Sequence, residues 1–321
     1  MHRLLRAALS LGLAHLGACA VTRHPTQPAA LPPGESQPVD LRTLATPGPI
    51  AHVAVVSARW SVDLAGLVDL EDPKAASLEN AETPIVLPVH VLTHPSAGVF
   101  IIDTGIDRER AAGRRGAARG LVRPFLRDID PVQPLGDIVA QHGGAVSGVL
   151  LTHLHLDHVL GLGDVPRGTP IYVGEGEASA RGAGHGAMRR SFNAALDGYA
   201  ALQTWPRSEA VALGPIEAAW DVLGDGSLWA LASPGHTPGS TSYLARTTDG
   251  PVLFVGDTSH TRWGWDRGVA PGRFTRDHDA NRKSFAALRR LAAEIPGTRV
   301  FVGHETDGVG TGVPTKESRE R

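Results

Sequence analysis

Residues 150–162 read LLTHLHLDHVLGL, with three histidines and an aspartate inside six positions directly behind an apolar run. The stretch SGVLLTH (147–153) predicts a buried strand. Alternate residues of a strand share a face, so its C-terminal end would present His153 and His155 to one point in space. Asp157 and His158 follow one short turn later, near a second point. Imidazole and carboxylate groups crowded in this way are metal ligands by type. A polar loop accounts for one histidine, but not for four such groups in six residues.

Similar groups recur at other predicted strand ends. Asp103 lies in IIDTG, His236 in SPGHTPGS, Asp257 in FVGDTS and His304 in FVGHE. Each of the last three follows an apolar strand and a small residue that leaves room beside it. Further Val- and Ile-rich runs bounded by Gly, Pro or Asp predict strands at 51–60, 83–94, 98–105, 170–174, 227–235, 241–247, 251–257 and 298–304. Between them, 277–294 reads as a helix, with acidic residues at its start, Phe285, Leu288 and Leu291 at helical spacing, and Pro296-Gly297 behind it. A second helix is predicted at 187–203. Interleaved strands and helices point to α/β or α+β layering.

Four segments are expected. Residues 1–19 carry His2, Arg3 and Arg6, then an apolar stretch and a small-residue exit, the anatomy of a secretory signal. The stretch is short of the roughly 20 residues that span a bilayer. Its ending LGAC resembles the lipobox of bacterial lipoproteins, which implies acylation of Cys19, a membrane anchor, and an exported protein of the periplasm or cell envelope. Residues 20–49, with seven prolines, read as an extended linker. Residues 50–312 form the folded domain, and 313–321 a polar tail.

Charge excludes some partners. The formal net charge is -2, so no overall basic field draws the chain to nucleic acid. Only Lys74, Lys283 and Lys316 are lysine among 31 basic residues, so the arginine cluster at 107–127 reflects composition and reads as a solvated face. The single cysteine rules out a thiolate-rich zinc site.

Taken in order, IIDTG, HLHLDH, PGHTPGS, VGDTS and VGHE resemble the motif series of the metallo-β-lactamase-fold hydrolases, over about residues 50 to 305. The resemblance implies an α+β fold, a four-layer αββα sandwich with the site at one edge between the sheets. It implies that His153, His155 and His236 hold one divalent ion, that Asp157, His158 and His304 hold another, and that Asp257 bridges them, with Asp103 supporting the loop from behind. Nitrogen and oxygen donors without thiolate suit zinc first, and manganese, iron or cobalt also. A hydroxide bridging two such ions would attack a small ester, lactone or thioester carbonyl, with Asp157 handling the proton.

Within that superfamily, the chain is most similar to the N-acyl-homoserine lactonase and glyoxalase II branch. A β-lactamase is disfavoured, because the main subclass places a cysteine on the second ion and the others lack the bridging aspartate. A phosphodiesterase or nuclease shares the ligands and stays open as the alternative, and a non-catalytic binding protein is the weaker one. Lactonases commonly carry tyrosine three residues after the bridging aspartate, where this chain has His260. His260 is therefore a candidate catalytic residue that could donate the same hydrogen bond, serve a different ester or cap a loop. Trp263, Trp265 and Phe274 in the Gly-rich segment that follows are candidate walls for an apolar substrate. Residues 174–203, with Met188, Phe192, Leu196 and Tyr199, read either as a lid or as a core-packing helix.

Overall fold

The computed structural model describes residues 19–32, 40–182 and 185–306. Residues 1–18 of the signal expected over 1–19, and the tail expected over 313–321, lie outside them. Two large sheets dominate. One has eight strands in the spatial order Thr26–Pro28, Leu202–Thr204, Ile171–Val173, Gly148–Leu150, Gly98–Ile102, Glu82–His94, Ala51–Asp63 and Asp130–Pro131. The other has six, in the order Val211–Leu213, Ile216–Asp221, Leu228–Ala232, Thr241–Thr247, Gly250–Phe254 and Arg299–Phe301.

The period of two in these strands builds the layers. In Leu228–Ala232, Leu228 and Ala230 face the space between the sheets, while Trp229 and Leu231 face outward onto helices. In Gly250–Phe254, Val252 and Phe254 point inward and Leu253 outward. Phe100 and Ile102 of the larger sheet meet them from the opposite side, and Ile101 turns away toward Leu135, Ile138 and Phe192. The sheets pack face to face, each covered outside by helices, which is the four-layer αββα sandwich. Both faces of most central strands are buried, which explains why they read as unbroken apolar runs.

The helix His278–Glu294 begins where expected: the Asp277 carboxylate accepts from the Ala280 amide, and Phe285, Leu288 and Leu291 form its buried stripe. The helix expected over 187–203 is shorter, His185–Ala195, because the chain then turns at Gly198 and runs into the strand Leu202–Thr204. Phe192, Leu196 and Tyr199 are buried in the core on the outer face of the larger sheet, so this segment is a packing element and not a lid. Two of the arginines of 107–127 pair at the surface, Arg108 with Asp137 and Arg114 with Glu109.

The linker expected over 20–49 is a correction. Cys19–Ala20 pairs antiparallel with Arg181–Gly182, and Thr26–Pro28 adds a parallel edge strand beside Leu202–Thr204. Val21, Ala29 and Leu44 are buried. An edge strand needs amide donors on one side only, so it tolerates Pro28 where a central strand would not. Among the described residues, 19–32 and 40–49 therefore belong to the folded body and are not a free linker. Among the described residues, no helix is long and apolar enough to cross a membrane.

Candidate metal centre

The site sits where several strand ends of both sheets open at one edge of the sandwich. The strand Gly148–Leu150 stops earlier than expected, so His153 and His155 lie on the loop behind it and not on the strand itself. A one-turn helix, Leu156–Val159, then carries Asp157 and His158. His236 comes from the loop after Leu228–Ala232, Asp257 from the turn after Gly250–Phe254, and His304 from the turn after Arg299–Phe301. Gly303 is required by closeness: a Cβ there would stand 2.1 Å from Asp257 Oδ1.

These side chains converge. Donor atoms of His153, His155, His236 and Asp257 all lie within 4.8 Å of one another, and so do those of Asp157, His158 and His304. His236 Nε2 is 3.2 Å from His153 Nε2 and 3.0 Å from His155 Nδ1. Asp257 Oδ2 has five imidazole Nε2 atoms around it: His260 at 3.2 Å, His304 at 3.3 Å, His236 at 3.4 Å, His158 at 3.6 Å and His153 at 3.7 Å. One carboxylate oxygen cannot satisfy five rings by hydrogen bonding. Among the described residues, His158 Nε2, His260 Nε2 and Asp257 Oδ1 are buried without a hydrogen-bond partner, an expensive state in a dry interior. Cations between these atoms would relieve it, so the donor set fits metal binding.

The tautomers are fixed from behind. Asp103 adopts φ 54°, a left-handed conformation that aspartate tolerates better than most residues. Its Oδ1 accepts the Thr152 amide and its Oδ2 accepts both Thr152 Oγ1–H and His158 Nδ1–H, each at 2.8 Å. His304 Nδ1 donates to the Val86 carbonyl at 3.1 Å. In both rings Nε2 is thereby the nitrogen turned toward Asp257.

Electrostatics favours added positive charge. Burial holds His153 and His236 well below the ordinary imidazole value and takes His155 down to about 4. Burial also opposes charge on His158 and His304, but nearby carboxylates outweigh it and raise both. Asp257 is pulled well below its usual range against the effect of burial, by His304, His260 and His158 above all. Three rings offer neutral lone pairs while the carboxylates call for cations.

His260 joins this cluster: its ring stands 5.1 Å from His236 and is stacked at 5.7 Å on His304. Phe274, 45% exposed, stands edge-on 6.3 Å from His260 at the rim. The two tryptophans do not line the site in the same way. Trp265 is buried edge-on against Phe285 in the core beneath the smaller sheet. Trp263 packs partly buried against the other core, with the Arg267 guanidinium 4.7 Å over its ring.

Glu177 is the residue that sequence reasoning missed. Buried behind the loops, it accepts the Leu154 amide on Oε1 and the Gly239 amide on Oε2, both at 2.8 Å. It thus ties the loop bearing His153 and His155 to the loop bearing His236. The one signal is an acidic residue in a Gly-rich stretch after a short strand, which by itself reads as solvent-facing.

A family model for the metallo-beta-lactamase superfamily matches residues 89–304. The N-acyl homoserine lactonase AttM of Azorhizobium caulinodans is 32% identical, over 71% of this chain and 84% of its own length. That of Agrobacterium fabrum is 31% identical over the same shares. Among solved structures, a mutant of the AiiA protein of B. thuringiensis with N-decanoyl-L-homoserine bound at its active site superposes with a TM-score of 0.57 at 19% identity, over 82% of this chain and 95% of that one. The chain belongs to the metallo-β-lactamase superfamily and is a metal-dependent hydrolase of it.

Proposed function

We propose that this protein opens the ring of small lactones, N-acyl-homoserine lactones among them, using two divalent ions. His153, His155 and His236 would hold one ion, Asp157, His158 and His304 the other, and Asp257 would serve both. Zinc suits the donors, with manganese, iron and cobalt as alternatives. When bound, such ions supply Lewis acidity: they polarise a carbonyl and make water nucleophilic near neutral pH. The chain's own residues do the rest. Asp103 and the Val86 carbonyl hold His158 and His304 in the ligating tautomer. Asp157 is only partly buried, so its carboxylate lies where a proton can pass to the leaving oxygen. Exposed Phe274 offers apolar surface at the rim for an acyl chain.

The observation that carries this reading is the convergence of seven donors on shared points, in a chain that aligns with acyl-homoserine lactonases over most of their length. The test is metal analysis of the purified protein, paired with turnover of lactone, thioester, phosphodiester and β-lactam substrates before and after chelation. About two ions per chain and chelator-sensitive lactone opening are expected. Preferential cleavage of the phosphodiester, or lactone turnover indifferent to chelation, would overturn it.

A further inference from the structure

His260 lies three residues after Asp257, and its environment decides what its two nitrogens can do. Nδ1 is 3.2 Å from the Leu67 carbonyl oxygen. A carbonyl only accepts, so Nδ1 carries the hydrogen and Nε2 of the neutral ring is a bare lone pair. That nitrogen is buried, has no hydrogen-bond partner, and points at Asp257 Oδ2 from 3.2 Å. Two acceptors facing each other at that distance repel unless a proton or a metal ion lies between them. A ring in this state cannot donate a hydrogen bond to a substrate from Nε2, the role that a tyrosine hydroxyl would play there.

The same construction appears at His158 and His304. In each, an oxygen acceptor takes Nδ1–H and Nε2 faces Asp257 Oδ2, at 3.6 and 3.3 Å. Donor atoms of Asp257, His260 and His304 lie within 4.8 Å of one another, and the His260 and His304 rings are parallel to within 7°. We propose that His260 Nε2 is a further protein ligand of the second ion, beside Asp157, His158, Asp257 and His304. This rests on the two-ion reading above and adds a residue to it.

The two positions then differ in kind. The first has His153, His155, His236 and Asp257, a set of four that matches tetrahedral zinc. The second has five donors, which favours ions that accept five or six ligands, such as manganese, iron or cobalt, over tetrahedral zinc. A mixed-metal enzyme, with zinc at the first position, is the expected outcome when several metals are offered together.

The experiment loads the wild-type protein with cobalt and counts the paramagnetically shifted histidine rings by nuclear magnetic resonance with labelled histidine. The rings of His153, His155, His158, His236 and His304 shift under either account. A sixth shifted ring, with a slowly exchanging Nδ1–H, is expected from His260, and its absence overturns the proposal. In parallel, chelator titration of His260→Phe should release one ion at about ten-fold or more lower chelator concentration than wild type, with the other ion held as before. Release curves identical to wild type would overturn the ligand role while leaving the two-ion reading intact. A wild-type protein that takes up no ion would instead sink that earlier reading. If His260→Phe does not fold, as judged by circular dichroism, the wild-type ring count alone decides.

Discussion

The sandwich buries two groups of histidines, and they behave differently. At the open edge, five Nε2 atoms surround one oxygen of Asp257, and two of them, those of His158 and His260, have no hydrogen-bond partner. Elsewhere between the sheets, half-buried His52 and buried His90 satisfy each other, Nε2 to Nδ1 at 3.2 Å, flanked by Phe254 and Phe301. Burial lowers His90 well below its ordinary value, and burial with the nearby Arg299 charge takes His52 to about 4. Both groups are dense in imidazole. The carboxylate, and the lone pairs left unpaired around it, separate a cage for cations from a filled core.

The comparison breaks hardest at Asp257. Replacing it with alanine should leave five rings without the carboxylate that gathers them, with loss of at least one ion by metal analysis. The expected fall in kcat/KM is on the order of 1,000-fold, about 4 kcal/mol of transition-state stabilisation. A variant retaining both ions and near-normal turnover would show that the rings alone make the cage.

The His52–His90 pair should report acid sensitivity with no metal involved. His52 binds its proton near pH 6.5 when unfolded and near 4 when folded. Stability from this depressed value is therefore complete above about pH 6.5, is lost as pH falls through the window down to about 4, and is flat below it. The loss amounts to about 3 kcal/mol across that window. Urea unfolding of chelated wild type should show it, and His52→Phe should show a shallower slope. Equal slopes would place the acid sensitivity elsewhere.

Asp103→Asn sharpens the contrast most gently. Asparagine tolerates the left-handed backbone at this position, but its amide cannot accept from Thr152 and His158 as the carboxylate does. Metal affinity at the second position should fall about 10- to 100-fold in a chelator competition, with little change in the unfolding temperature. An unchanged affinity would mean that His158 needs no fixed tautomer.

Much of this was legible because the chemistry is concentrated. HLHLDH places four donors on one loop and the helical turn that follows it, and the apolar runs behind His153, Asp257 and His304 mark buried strands whichever sheet they join. What escaped depends on partners distant in sequence. Nothing near Leu67 announces that its carbonyl takes the His260 proton, and nothing near Glu177 announces two amide partners on separate loops. Prolines hid the edge strand Thr26–Pro28, because composition does not record which side of a strand goes unpaired. Trp265 reads like a pocket wall among glycines, yet the helix His278–Glu294 supplies Phe285 to cover it.

Glu177 has a consequence for how ions arrive. It grips one loop behind each sheet, and the Thr241 amide, which donates to the Thr152 carbonyl at 2.8 Å, adds a second tie. The cage is thus braced across the whole sandwich by bonds that involve no ion. Ties of this kind restrict how far the walls can shift whether or not an ion sits between them, which would leave little ordering cost to subtract from the grip on it.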